Sequence, residues 1–133
     1  ERPVMMKMIL PLVALGLLAQ AQARAQDAAA GEKTYAQCRA CHQIGETAKN
    51  TVGPVMNGVI GRKAAEREGY SYSNAMKSSG LTWDEATFAD YIKDPKAKVP
   101  GTKMIYAGLK DDKRIADLVA FLKQFDAEGK KAP

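Results

Sequence analysis

The sequence is poor in the residues that usually hold metals or cross-link chains, with two cysteines and one histidine among 133 residues. Two cysteines exclude a disulfide-rich scaffold. A zinc site made of four Cys or His ligands is also excluded, because too few such side chains exist. A strong charge of one sign is lacking as well, since 20 basic residues stand against 15 acidic ones and the net charge is +5. This small, scattered excess does not favour nucleic acid as a partner.

The remaining composition is that of an ordinary globular domain. Hydrophobic residues make up 46% of the chain and charged residues 26%, which excludes an acidic disordered chain and a fibrous repeat. A length of 133 residues predicts one domain with one core.

The first 25 residues have the pattern of a cleaved signal peptide. Lys7 supplies positive charge, residues 8–19 are an apolar run of twelve, and residues 23–25 (Ala-Arg-Ala) provide small residues for signal peptidase. Twelve residues rise about 18 Å as a helix, short of the roughly 30 Å hydrocarbon core, which disfavours an uncleaved membrane anchor. We predict export to the periplasm with cleavage before Gln26, the alternative being cleavage before residue 24. Residues 1–4 lie upstream of the expected start.

Four helices joined by glycine- and proline-rich loops are predicted in the exported domain, residues 26–133. They cover about 28–40, 73–79, 82 to an end before Asp94-Pro95, and the stretch after Asp111-Asp112 to a stop at Gly129. The loops at 41–72 and 95–110 leave little side-chain core, which indicates that something other than side chains fills the interior.

The third and fourth helices have start signals. Thr82 and Glu85 match the pattern of a capping box, in which both side chains can satisfy free backbone N–H groups. The carboxylates of Asp111 and Asp112 suit the positive end of the next helix. In that helix, apolar residues recur at three- and four-residue spacing, from Ile115 onward.

Residues 38–42 read Cys-Arg-Ala-Cys-His, the CxxCH spacing of covalent haem attachment. Thiols three positions apart can each add to one haem vinyl group, giving two thioethers from Cys38 and Cys41, and the adjacent His42 then ligates the iron. A thiol oxidoreductase is the rival interpretation, but the βαβ pattern in which that motif normally lies is missing. A structural disulfide leaves His42 unexplained, and a three-ligand metal site is the last alternative.

The sixth iron position has several candidates. A second histidine within the chain is excluded, so methionine, lysine, tyrosine or an open site remain. The exported domain has Met56, Met76 and Met104, and a methionine most often fills a gap in a core. Met104 is favoured because Pro100 and Gly101 predict a tight, non-helical turn that can present a thioether from a loop.

The sequence resembles the class I cytochromes c, including the mitochondrial protein and its soluble bacterial relatives, over about residues 31–129. The matching pieces, in order, are GEKTYAQCRACHQI, TVGPVMNGVIGRK, GYSYSNAMKSSGLTW and DPKAKVPGTKMIYAGLK. CxxCH alone is common to many haem proteins, whereas the order of all four pieces is far more specific. A CxxCH near the N-terminus also argues against the cytochrome c′ class.

The resemblance implies an all-α class I cytochrome c fold, with about four short helices and long loops around one covalently bound haem c and its iron. His42 and Met104 would be the axial iron ligands, and the carbonyl of Pro54 would accept the other ring N–H of His42. The rest of the implied haem pocket is Arg62, Tyr72, Trp83 and Thr102 around the propionates, with Tyr91 and Tyr106 on the distal side. Gly31 and Tyr35 would pack against Leu118 and Phe121, where the first and last helices cross.

Three substitutions depart from the family pattern. Gln37 stands where the mitochondrial protein has a lysine beside the haem edge. Met76 stands where an asparagine is usual, which makes it the best rival ligand. Asp111 and Asp112 replace a basic run.

The predicted function is one-electron transfer, with no catalytic residue and no enzymatic activity. A ring of lysines would steer the protein towards acidic docking surfaces: Lys33, Lys96, Lys98, Lys103 and Lys110. The expected partners are a quinol–cytochrome oxidoreductase, and an oxidase, a reductase or a photosynthetic centre. We expect a monomer that meets the membrane only through such partners. The alternative function is a haem enzyme or gas sensor with an open or labile sixth position, and a third possibility is a thiol–disulfide protein.

Overall fold

A computed structural model describes residues 26–133, so the predicted signal peptide lies outside the described residues. Five helices occur there: α1 (Ala28–Tyr35), α2 (Asn74–Lys77), α3 (Glu85–Lys93), α4 (Pro95–Lys98) and α5 (Asp112–Leu122). Within this range the only β pairing is two isolated bridges. The all-α class is therefore confirmed. No helix in residues 26–133 is long and apolar enough to cross a membrane.

The predicted start of α3 is wrong by two residues. Asp84 caps the helix, and its carboxylate accepts the N–H of Thr87 at 2.7 Å. Thr82 lies outside the helix because it pairs with Lys63 in an antiparallel bridge. That bridge holds Trp83 in place, since the Trp83 N–H donates to the Arg62 carbonyl at 2.8 Å. The start of α5 is confirmed, because the Asp111 carboxylate accepts the N–H of Arg114 at 3.0 Å.

Three other helix predictions need correction. Residues 36–41 form turns, so α1 ends at Tyr35 and not at residue 40. The predicted loop 95–110 begins with α4, because the Asp94 carboxylate caps that turn and Pro95 suits the first helical position. The last helix ends at Leu122, well before Gly129. Gly129 is buried, and a Cβ there would lie 2.2 Å from the carbonyl oxygen of Gly45, so only glycine fits.

Helices α1 and α5 cross at the predicted point. A Cβ on Gly31 would lie 1.9 Å from the carbonyl oxygen of Asp117, so the two backbones meet there. The rings of Tyr35 and Phe121 pack with centroids 5.3 Å apart. The Asp117 carboxylate adds a polar tie, since it accepts the backbone N–H of Asp27 at 2.9 Å. This crossing fixes the chain just before the CxxCH turn.

Candidate functional site

A cavity of about 370 Å³ lies between the CxxCH turn, the segment 52–54 and the loop after α4. Its volume falls within the range of about 300–1,000 Å³ that is typical of ligand sites. Every residue predicted for the site lines it: Cys38, Cys41, His42, Pro54, Arg62, Tyr72, Trp83, Tyr91, Thr102, Met104 and Tyr106. Residues more than sixty positions apart in the chain thus line the same cavity.

The CxxCH turn presents both thiols to this cavity. The N–H groups of Cys41 and His42 both donate to the Cys38 carbonyl, at 3.1 and 2.9 Å, which forms a helical turn beyond the end of α1. The two thiols are half-buried and are not joined to each other. Burial raises the pKa of Cys38, whereas a thiol oxidoreductase needs a lowered one. The environment of Cys38 therefore does not favour thiolate redox chemistry.

His42 is held in one orientation. Its Nδ1 lies 2.8 Å from the carbonyl oxygen of Pro54, and a carbonyl can only accept, so Nδ1 carries the proton. Nε2 is then left with a free lone pair, as a metal ligand requires. Burial lowers the pKa of His42, which favours the neutral imidazole. Gly53 lies against the ring, because a Cβ at that position would be 2.4 Å from Cε1.

All three methionines of the described chain line the same cavity. Met56 follows Pro54 in the loop that holds His42, and Met76 is buried in α2. Met104 is half-buried in the loop after α4, next to the turn closed by the Thr102 N–H and the Val99 carbonyl at 2.9 Å. Because Met76 also lines the cavity, it remains a rival candidate to Met104 for the sixth iron ligand.

The hydroxyl of Thr102 supports the backbone around Met104. Thr102 Oγ1 lies 2.7 Å from the hydroxyl of Tyr91 and accepts the Met104 N–H at 3.4 Å. Tyr91 in turn packs against Trp83, with ring centroids 4.9 Å apart. Burial raises the pKa of Tyr91, so its hydroxyl stays neutral at physiological pH and keeps this contact.

Arg62 has a donor that the described chain does not use. Its two Nη atoms donate to the Val55 carbonyl, both at 3.2 Å, and Nη1 also donates to the Asn57 carbonyl at 2.9 Å. Nε is buried without a partner, which costs about 1–3 kcal/mol if nothing pairs with it. A carboxylate in the cavity would satisfy this donor. The propionates of a haem are such groups. Tyr72 also lines the cavity, close enough to Arg62 for each to affect the other's pKa.

These features fit a covalently held haem. The cavity is lined mainly by apolar side chains, and it holds two unpaired thiols, one imidazole with a free nitrogen and one buried donor that lacks an acceptor. Each of these matches a different part of haem c: the vinyl groups, the iron and a propionate.

The mouth of the cavity is apolar and flanked by positive charge. Val52 and Ile105 line it and are 70% and 96% exposed, although they are large hydrophobic residues. Of the predicted lysine ring, Lys103 lies at the cavity. It donates to the Ser71 carbonyl at 2.6 Å and stacks over the Tyr70 ring at 5.2 Å.

The other four lysines of the ring are also exposed. Lys98 pairs with Asp90 at 3.6 Å, so it contributes less free charge than the sequence indicates. Lys110 donates to the Lys93 carbonyl, an acceptor that does not neutralise its charge.

Sequence reasoning missed two contacts of the site. The sequence marks Gln37 only as a departure from the family, yet its side chain accepts a hydrogen bond from the Tyr106 hydroxyl at 3.1 Å. The sequence predicts only a loop at Gly53, yet this glycine leaves no room for a Cβ beside the His42 ring. A Gly-Pro pair beside the motif signals a turn, but no local pattern tells what the turn touches.

The chain matches the family model for cytochrome c over residues 28–126. Cytochrome c2 of Blastochloris viridis is 58% identical over 111 residues, which cover 84% of this chain and 87% of that protein. Cytochrome c-550 of Bradyrhizobium diazoefficiens is 59% identical over 103 residues, covering 77% and 76%. The structure of cytochrome cH from Methylobacterium extorquens superposes with a TM-score of 0.69 at 53% identity, covering 73% of this chain and 97% of that one.

Proposed function

Because the chain belongs to the cytochrome c family, as a class I c-type cytochrome with one covalently attached haem c, we propose that it shuttles single electrons between redox proteins of the periplasm. Cys38 and Cys41 would form the thioethers, and His42 and Met104 would ligate the iron. The observation that carries the proposal is that these four side chains line one cavity.

When bound, the haem supplies an iron that changes between ferric and ferrous states by one electron. The chain's own residues hold both ligand residues in place, so the structure would change little when the iron changes its oxidation state. Pro54 and Gly53 fix the ring of His42 from one side, and Thr102 holds the backbone of Met104. With both His42 and Met104 bound to the iron, no coordination position would be left for a substrate, so the site suits electron transfer and not catalysis.

Arg62 and the apolar wall hold the group in place. The unpaired Nε of Arg62 would donate to a propionate, giving a charge-assisted hydrogen bond in a partly buried site. Trp83 and Tyr91, both about 7% exposed, exclude water from the interior. This arrangement favours the ferrous state, because a dry site with methionine as a ligand raises the reduction potential.

Partners are recognised at the mouth of the cavity. Val52 and Ile105 offer exposed apolar contact there, and Lys103 contributes positive charge. We propose acidic redox partners, namely a quinol–cytochrome oxidoreductase on one side and an oxidase, a reductase or a photosynthetic centre on the other. Long-range attraction would raise association rates, and salt would weaken it.

Two small oxidants of opposite charge test this electrostatic part. The ferrous holoprotein is mixed with anionic ferricyanide or a cationic cobalt(III) phenanthroline complex, at low and high salt. We expect the ferricyanide rate to fall as salt rises and the cobalt rate to increase. Lys96→Glu should reduce both trends, whereas Lys131→Glu, which replaces an exposed lysine outside the predicted ring, serves as the matched control. Oxidation rates that do not change with salt concentration, or equal effects of the two variants, would contradict electrostatic steering at the haem edge.

The proposal includes processing before Gln26, which leaves residues 26–133 as the exported cytochrome domain. The signal-peptide pattern of residues 1–25 supports it. The intact mass of the periplasmic protein tests it, because it should equal that of residues 26–133 plus one haem. A mass that includes the apolar residues 8–19 would show that the segment is retained.

A further inference from the structure

One side-chain hydrogen bond joins the two segments that hold opposite sides of the proposed haem site. The Tyr106 hydroxyl donates to Gln37 Oε1 at 3.1 Å, across 69 positions of sequence. Gln37 directly precedes Cys38, and Tyr106 follows Met104 by two residues. Both line the cavity. The bond therefore spans from the haem-attachment turn to the loop that carries Met104.

This bond matters because the loop after Thr102 has few other ties. Among residues 26–133, residues 103–108 make no backbone–backbone hydrogen bond, as donor or as acceptor. Ile105, in the middle of that stretch, is 96% exposed and adds no packing. Three side-chain hydrogen bonds hold the segment: the Lys103 ammonium on the Ser71 carbonyl, the Thr102 hydroxyl on the Met104 N–H, and the Tyr106 hydroxyl on Gln37. Of these, only the bond from Tyr106 holds the part of the segment that follows Met104.

We propose that Gln37 and Tyr106 form a latch that keeps this loop closed and so limits how often Met104 leaves the iron. Gln37 is thus a positioning residue for Met104, because it acts through Tyr106. The inference rests on the proposed function, since it requires Met104 as the ligand. A small ligand can bind the iron only in the open state, so its apparent affinity is scaled by the open fraction.

The size of the effect follows from the bond. A neutral, partly exposed hydrogen bond changes an equilibrium by about two- to tenfold, and we expect about fivefold for the open fraction. Because neither Gln37 nor the Tyr106 hydroxyl is charged, this change should be the same at low and high salt, unlike an effect of the lysine ring.

Imidazole titration of the ferric holoprotein measures the open fraction. We expect Tyr106→Phe and Gln37→Leu each to raise the apparent imidazole affinity about fivefold. The double variant should rise no further, because both changes remove the same bond. Gln37→Glu keeps an acceptor oxygen and should stay close to the unmodified protein. Tyr70→Phe is the matched control: it removes the hydroxyl that donates to the Val52 carbonyl at 2.7 Å, at the same rim but outside the loop.

Additive effects of Tyr106→Phe and Gln37→Leu, or an unchanged affinity in Tyr106→Phe, would overturn the latch. Amide hydrogen exchange gives a second measurement independent of the iron, and residues 103–108 should exchange faster in Tyr106→Phe and at the normal rate in Tyr70→Phe. Failure of the proposed function gives a different result. The unmodified ferric protein would then be high-spin and bind imidazole without displacing a ligand, whereas failure of the latch alone leaves it low-spin and closed.

Discussion

The contact between Gly53 and His42 leads to a quantitative prediction for Gly53→Ala. The added Cβ would lie 2.4 Å from Cε1, 2.7 Å from Nδ1 and 2.8 Å from Nε2 of the imidazole. Carbon atoms in ordinary contact are about 3.5–4.0 Å apart, so the ring and the loop must separate by about 1 Å. Pro54 is the next residue, and its carbonyl lies 2.8 Å from Nδ1. A shift of that size breaks this hydrogen bond.

Two consequences follow from the shift. Overpacking and the lost hydrogen bond should lower the free energy of unfolding by about 1–3 kcal/mol. The imidazole also becomes a weaker base, because its N–H no longer donates to a carbonyl. A weaker base stabilises the ferric iron less, so the reduction potential should rise. A differential of about 0.5–1.4 kcal/mol corresponds to roughly 20–60 mV for one electron.

Denaturant titration and redox potentiometry of the holoprotein measure both effects. Gly80→Ala is the matched control, since Gly80 has a φ of +66° and open space around its Cβ position. It should lose about 1 kcal/mol through backbone strain alone and keep its potential. An unchanged potential in Gly53→Ala, or an equal shift in Gly80→Ala, would refute the link between the glycine and the iron ligand.

Three further predictions concern the scaffold. Gly31→Ala should cost about 3 kcal/mol or prevent folding, measured by denaturant titration, because its Cβ would overlap the Asp117 carbonyl oxygen at 1.9 Å and part the two helices. Asp111→Ala should cost about 1 kcal/mol in the same assay by removing the cap of α5, and Asp111→Asn should restore most of it. The hydrogen bond from Lys113 holds the pKa of Asp117 below its usual range. Its stabilisation is therefore complete above about pH 4 and is lost as pH falls through the lower folded-state pKa. Unfolding free energies of Asp117→Asn should accordingly show a shallower acid slope than those of the unmodified protein, and an unchanged slope would contradict this.

Local sequence signals predicted the parts of the fold that depend on local chemistry. Asp111 caps α5 as expected, because an acidic residue before an amphipathic run has few competing roles. Thr82 does not cap the helix because Thr82 itself pairs with Lys63, a residue 19 positions earlier in sequence. Gly129 does not end the helix, because α5 already ends at Leu122. A glycine is needed at position 129 because the chain packs closely against Gly45. Tertiary contacts decided both cases, and local patterns do not contain them.

In the site, too, local motifs predict some residues and tertiary contacts decide others. The CxxCH motif pointed directly to Cys38, Cys41 and His42, because covalent attachment requires those residues at that spacing. The three methionines are harder to distinguish from the sequence, since a methionine that ligates iron looks the same there as one that fills a core. The bond of Gln37 to Tyr106 was not predictable at all, because it joins side chains 69 positions apart and has no motif.

Absorption spectra of the holoprotein, oxidised and reduced, with and without carbon monoxide, test ligation by His42 and Met104 most directly. We predict a low-spin c-type spectrum with a weak long-wavelength iron–thioether band in the ferric state and no response to carbon monoxide. Met104→Ala should lose that band and bind carbon monoxide, whereas Met76→Leu should keep the band and stay unresponsive. A high-spin spectrum with prompt carbon monoxide binding by the unmodified protein would contradict the carrier function and favour a haem enzyme or gas sensor.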